Sequence, residues 1–226
     1  MKEGDRFLRI LLFSVTGCFL AGFVYRFSRQ LYRNVAFDTL ALTRVSKADR
    51  LGRTLLLRLE LPRKCRIAPG QYVYLTLLTA QSLSFAQRHP FAITWWEAQH
   101  HDEPARYLWI MIDPQRGWTR QIMRHSDTLT GTRAWLDGPY GRSCDFEKFG
   151  CVLLFASGTG IFALLPIVKR LSELVRASAA NTRRIKLVWH TTEYHDQVQV
   201  WMQSLLDDYE LDTGVSSRLH DSLQTC

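Results

Sequence analysis

Three short stretches carry residue types that could do chemistry. In His89-Pro90-Phe91-Ala92-Ile93-Thr94 an aromatic ring stands beside an imidazole at the start of a β-type run, a pairing able to cover a flat ring system and reach a phosphate. Gly117-Trp118-Thr119 leads into a helix-forming stretch. A helix start offers unpaired N–H groups and the positive end of its dipole to an anion. Gly117 lets a bulky diphosphate approach the backbone, and Thr119 can either cap the helix or bind phosphate. In Ser157-Gly158-Thr159-Gly160-Ile161 the spacing of Gly158, Gly160 and Ala163 fits G-x-G-x-x-A, the first glycine for a tight turn and the second for a pyrophosphate at the helix start. Each stretch also has a structural reading: a core phenylalanine with a turn histidine, an ordinary helix cap, a chance glycine pattern. Their order along one chain is more specific than any one of them.

These residues need elements to position them. Val35 to Val45, Thr54 to Leu61 and Gln71 to Leu78 are β-branched, aromatic or leucine-rich, separated by the polar run Lys47 to Gly52 and by Pro62 to Gly70. Ile93 to Glu97, Tyr107 to Ile112 and Arg133 to Leu136 add three more such runs. Six short strands divided by turn signals predict a small antiparallel barrel. Thr119 to His125 predicts a helix. Cys151 to Ala156 is a continuous apolar run, as in a parallel strand covered on both faces. It breaks at the glycine turn and resumes as a helix from Ile161 to about Arg176, with Leu164, Leu165, Val168, Leu171 and Val175 at helical spacing. Ile185 to Trp189 predicts a further strand and Asp196 to Tyr209 a further helix.

At the amino terminus, Phe7 to Tyr25 is apolar except for Arg9, Ser14 and Thr16. At about 1.5 Å of rise per residue it nearly matches a hydrocarbon core of about 30 Å. A secretory signal has a similar outline, but this run is long for one, no small-x-small cleavage site follows, and Arg26, Arg29 and Arg33 come directly after. Those arginines outnumber Lys2 and Arg6, which places the carboxy-terminal side in the cytosol, with Tyr25, Phe27 and Tyr32 near the interface. A buried or amphipathic helix is the alternative. The fold class expected is α+β: one amino-terminal membrane helix, a six-stranded antiparallel β-barrel, then a partial parallel α/β nucleotide-binding domain.

Composition narrows the function classes. The 226 residues are 46% hydrophobic and 22% charged, ordinary globular values. A net charge of +8 suits an anionic membrane surface or anionic cofactors; no basic block or nucleic-acid motif accompanies it, so no nucleic-acid partner is expected. Cys18, Cys65, Cys144, Cys151 and Cys226 form no Cys-x-x-Cys pair and have no histidine at zinc spacing, which predicts reduced thiols and no metal site.

Taken in order, His-Pro-Phe, Gly-x-Thr, Gly138-Pro139-Tyr140-Gly141 and the glycine turn resemble the flavin and pyridine-nucleotide module of the ferric reductase and NADPH oxidase group, fungal ferric-chelate reductases included. The resemblance implies a membrane segment over residues 1–33, an FAD-binding barrel over 34–145 and a partial NADPH-binding domain over 146–226. It implies that His89, Pro90, Phe91, Ala92 and Thr94 pack on FAD, with Phe91 against the isoalloxazine and His89 at the pyrophosphate or ribityl side. Gly117, Trp118 and Thr119 would form the FAD-diphosphate site, and Gly158, Thr159, Gly160 and Ile161 the NADPH site. Ala92 stands where the family usually has Ser or Thr, and Phe162-Ala163 where it usually has Thr-Pro. His190 to Glu193 offer no arginine for a 2′-phosphate, so NADPH over NADH is implied by resemblance alone. Haem belongs to the full-length family, but the membrane segment has no histidine to ligate it. The haem helices and the later Cys-Gly segment have no counterpart, so the chain is expected to be truncated at both ends.

The function implied is a membrane-bound, NADPH-dependent ferric-chelate reductase that passes electrons through FAD toward haem and ferric or cupric ion. Its expected partners are the membrane, the nucleotide cofactors and the haem-bearing membrane domain of a full-length reductase. Two other readings remain. One is a non-catalytic membrane-tethered remnant, and the other a soluble NAD(P)H-dependent flavin reductase with a protein acceptor.

Overall fold

The computed structural model describes residues 2–37, 39–78, 89–98, 103–114, 117–190, 198, 200 and 201. Helix α1 spans Lys2–Asn34. Within it Arg6–Asn34 is long and apolar enough to cross a membrane, with a mean hydropathy of 2.0 and none of that window buried. Exposed Phe7, Leu8, Ile10, Leu11, Leu12 and Phe13 run around its circumference, without the single apolar stripe of a helix packed on a core. The buried-helix alternative therefore does not describe α1, and its character suggests membrane association. Asn34 ties the helix to the sheet: its Nδ2 donates to the Leu136 carbonyl at 2.7 Å, and its Oδ1 accepts from Leu136 N at 2.7 Å and from the Thr43 hydroxyl at 3.1 Å.

After a short hairpin, β1 (Val35–Ala36) with β2 (Ala41–Leu42), come β3 (Arg44–Leu51), β4 (Thr54–Cys65), β5 (Tyr72–Leu77), β6 (His89–Glu97), β7 (Ala105–Ile112) and β8 (Ala134–Tyr140). They form one six-stranded antiparallel sheet in the order β3-β4-β7-β6-β5-β8. The sheet curls until its edges touch, through a bridge between Arg44 and Arg133 and bonds from Val45 N to Thr132 O and from Ala134 N to Thr43 O, each 2.9 Å. The antiparallel architecture and five of the six expected strands are present, as β4 to β8; the first, expected over Val35 to Val45, is instead the β1–β2 hairpin and the start of β3. Lys47 to Gly52, expected to separate strands, is mostly β3 itself. An antiparallel edge strand with one wet face accommodates polar residues, and only Gly52-Arg53 makes the turn.

Alternation in β4 shows how the sheet is filled. Leu55, Leu57, Leu59 and Leu61 face a core completed by Val73, Leu75, Ile93, Trp96, Leu108 and Ile110. Leu56 faces the opposite way, with Trp95 and Trp109. Ile93 and Trp96 both point inward although three apart, because the pairing of β6 with β7 slips by one between Ile93 and Trp95.

The outer apolar face is covered by α3 (Ile161–Arg176), which follows β9 (Cys151–Ser157) and precedes β10 (Arg184–His190). β9 and β10 pair in parallel, Cys151 beside Arg184 through Ser157 beside His190. The expectation that β9 is covered on both faces is corrected: Val152 and Leu154 are buried, whereas Leu153 and Phe155 are 51% and 67% exposed. Among the described residues α3 covers one face only. The helix expected over Asp196 to Tyr209 lies almost wholly outside the described residues. Val198 and Trp201 are described as helical and buried, Trp201 stacking on Trp95 at 5.1 Å.

Candidate cofactor site

His89 opens β6 opposite Leu75, and the next three residues pair with Tyr74, Val73 and Tyr72. Paired residues share a face of the sheet, so Phe91 points with Val73 toward the core while Pro90 and Ala92 lie outside beside Tyr74 and Tyr72. Gly117 precedes α2 (Trp118–Arg124) at φ 64°, a left-handed conformation that disfavours side chains, and nothing lies within 4 Å of where a Cβ would be. The cap position of α2 is Gly117, with no side-chain cap bond, and Thr119 lies inside the helix, which corrects the first of its two expected roles, the cap.

These two stretches meet. The His89 ring stacks on Trp118 at 4.7 Å with 19° between planes, and Phe91 lies 6.2 Å from the same indole. Trp118 is buried, so the stack is fixed from below. His89 Nε2 is buried without a hydrogen-bond partner among the described residues. Leaving such an atom unpaired costs about 1–3 kcal/mol. An unpaired donor or acceptor next to an open, uncapped helix start fits the oxygen-rich phosphate or ribityl portion of a flavin nucleotide. Thr94 is buried, and its hydroxyl is engaged within the sheet, donating to the Trp109 carbonyl at 2.9 Å.

Sequence reasoning missed a tyrosine cluster on the outer face of this sheet. Tyr72, Tyr74 and Tyr140 have ring centroids 5.7 to 6.0 Å apart. The Tyr140 hydroxyl donates to Asp137 Oδ1 at 2.6 Å, and burial followed by this bond raises its pKa. The alternation of Tyr72 and Tyr74 was the available signal, but only the pairing with β6 and β8 sets them beside Pro90 and Ala92.

The glycine turn forms a second locus. Gly158–Gly160 is one turn of 3₁₀ helix that runs directly into α3, and no side chain caps it. Trp189, which the sequence did not single out, donates its indole N–H to the Gly158 carbonyl at 2.9 Å and so ties the turn to β10. Thr159 is half-buried and Gly160 exposed. Ile161 is fully buried, so its side chain belongs to the core. Phe162, standing where the resembling family has threonine, is 1% exposed and meets Trp201 edge-on at 6.4 Å. Its side chain is part of the core between α3 and the sheet. His190 ends β10, and Thr191 to Glu193 lie outside the described residues.

Comparison with known proteins matches residues 41–144 to an FAD-binding domain and residues 149–215 to a ferric reductase NAD binding domain. A probable cell surface ferric reductase of Aspergillus oryzae is 32% identical over 131 residues, covering 54% of this chain and 17% of that protein. A ferric/cupric reductase transmembrane component of Saccharomyces cerevisiae is 30% identical over 129 residues, covering 56% of this chain and 17% of that one. The chain thus spans about a sixth of the length of these curated relatives. Among solved structures, an NADH-dependent reduced ferredoxin-NADP oxidoreductase aligns with a TM-score of 0.52 at 21% identity, covering 67% of this chain and 49% of that one. Phthalate dioxygenase reductase aligns with a TM-score of 0.51 at 15% identity, covering 79% and 54%. These two share the fold.

Proposed function

We propose, for a chain that belongs to the ferric reductase-like flavoproteins, that it forms the part of a membrane-bound ferric-chelate reductase through which electrons pass from NADPH by way of FAD toward haem and ferric or cupric ion. The observation that carries this reading is the buried, unpartnered Nε2 of His89, stacked on Trp118 beside the uncapped start of α2 and within the matched FAD-binding stretch. The chain divides into a membrane segment (1–33), a flavin domain (34–145) and a nucleotide domain (146–226).

FAD, when bound, supplies the conversion of a two-electron donor into single-electron transfers. The chain's own residues bind and orient. His89 Nε2 holds a phosphate or ribityl oxygen, with Pro90, Phe91 and Ala92 forming the edge beside it. The Gly117 backbone gives the diphosphate room to approach Trp118 and Thr119 at the start of α2. Tyr72, Tyr74 and Tyr140, tilted or edge-on to one another, offer an aromatic surface outside the sheet against which a ring could pack. Gly158, Thr159, Gly160 and the Ile161 backbone hold the pyrophosphate of NADPH. Arg26, Arg29 and Arg33 set α1 as a single pass with the later domains in the cytosol. A haem-bearing membrane domain is the partner for the outgoing electrons.

The test is purification of the full chain in mild detergent, followed by an absorption spectrum and an assay of NADPH oxidation with ferricyanide. The expected result is yellow protein containing close to stoichiometric FAD and turning over well above free flavin. Folded, colourless protein would sink the reading. FAD-bound protein without turnover would instead favour a tethered, non-catalytic role.

A further inference from the structure

Where the two edges of the curled sheet meet, the surface encloses a cavity of about 340 Å³ lined in part by Leu40, Leu42, Arg44, Glu60, Arg106 and Arg133. None of these residues belongs to the cofactor site. Glu60 sits at its base with a side chain 12% exposed and holds two guanidinium groups: Oε2 accepts from Arg44 Nε at 2.8 Å, and Oε1 from Arg106 Nη2 at 3.0 Å. Burial would raise the Glu60 pKa, but the hydrogen bonds and charges of Arg44 and Arg106 outweigh it and hold the carboxyl below its usual value, so Glu60 is ionised at neutral pH. Both of its oxygens are thereby engaged.

Arg44 and Arg106 side chains remain 59% and 55% exposed, with guanidinium N–H groups to spare. Arg133 has no acidic partner among the described residues. Among the described lining residues three guanidiniums face one carboxylate, an excess of two positive charges. Planar guanidinium forks match phosphate oxygens, and since Glu60 offsets only one of the three charges the hollow favours a further anion. Part of the lining is apolar: Leu40, 81% exposed and held at φ 51°, belongs with Leu42 to the hairpin that directly follows α1.

We propose that this seam cavity is a binding site for a phosphate monoester, carried by an acidic phospholipid or free in solution. The exposed Leu40 in its lining favours the lipid-borne form, a preference that rests on α1 lying in a membrane. The site itself is independent of the electron-transfer reading, and its test involves neither NADPH nor turnover.

The experiment uses the full chain in mild detergent, titrated separately with dihexanoyl phosphatidic acid, inorganic phosphate and dihexanoyl phosphatidylcholine, with binding followed by calorimetry. The expected result is saturable binding of phosphatidic acid that weakens at least about tenfold in Arg133→Gln and in Arg106→Ala, with no response to phosphatidylcholine. Arg53→Ala, in the exposed turn after β3, leaves it unchanged. Unliganded melting midpoints and circular dichroism confirm that each variant is folded. Tighter binding of phosphatidic acid than of inorganic phosphate supports the lipid-borne form, and equal affinities support the free anion. Absence of saturable binding by either probe, or binding that survives both Arg133→Gln and Arg106→Ala, overturns the proposal.

Discussion

His89 opens β6 with its ring stacked on Trp118 and its Nε2 buried without a partner among the described residues, so the ring packs structurally while one nitrogen remains unpaired. The two roles separate experimentally. His89→Phe keeps a flat ring on the indole and deletes the unpaired nitrogen. We expect the melting temperature of the FAD-free protein to stay the same or rise. FAD affinity, measured by fluorescence titration, should fall about 10- to 100-fold, the equivalent of one hydrogen bond to a charged group at roughly 1.5–3 kcal/mol. Unchanged affinity would remove His89 from the site. The motif around His89 was legible in the sequence, as were the glycines at 117 and 158. The inward direction of Phe91, the internal bond of the Thr94 hydroxyl and the burial of Phe162 were not, because each depends on which strand or helix lies opposite.

At the scale of elements, β8 ends where the chain passes closest to the turn before β5. A Cβ on Gly141, at φ 100°, would lie 2.8 Å from the Gly70 carbonyl oxygen, a backbone atom that cannot swing aside. Gly141→Ala should therefore destabilise the protein by roughly 1–3 kcal/mol in a urea melt, the usual scale of backbone strain. Gly150→Ala, with nothing within 4 Å and no positive φ, should change stability little. Equal effects from the two would show that the crossing is not constrained. Strand and helix existence followed from local pattern: α3 runs Ile161–Arg176 as the spacing predicts. Faces did not follow so readily. The polar β3 reads as a linker because an edge strand needs only one apolar face. The apolar β9 reads as fully covered although α3 lies on one side only, since composition does not say what packs above a strand.

For the molecule as a whole, the outer face of the sheet is the organising surface. Leu56, Trp95 and Trp109 meet Ile161, Phe162, Leu165 and Trp201 there, so the strand-turn-helix unit carrying the glycine turn is seated on the sheet that carries His89. Burial of each such large side chain contributes about 1.5–3 kcal/mol, enough in sum to hold the two loci in a fixed relation. At the other extreme, α1 packs only through its end, where Asn34 is fastened to Leu136. Its apolar exposure predicts that the expressed chain stays in the pellet after carbonate extraction, and that removal of residues 2–25 moves it to the supernatant; a soluble full chain would contradict this. By itself the sequence determined five of the six strands of the antiparallel sheet, the apolar leading helix, the glycine turn ahead of α3 and the family, because these rest on periodicity and short motifs that neighbours in the chain specify. Tertiary structure alone decided that His89 meets Trp118, that three tyrosines share a face, that Arg44 and Arg106 meet on Glu60, and that Arg133 lines the same hollow. Those meetings join residues from different strands and helices, and they are set by strand register and by the closing of the sheet, which no local pattern encodes.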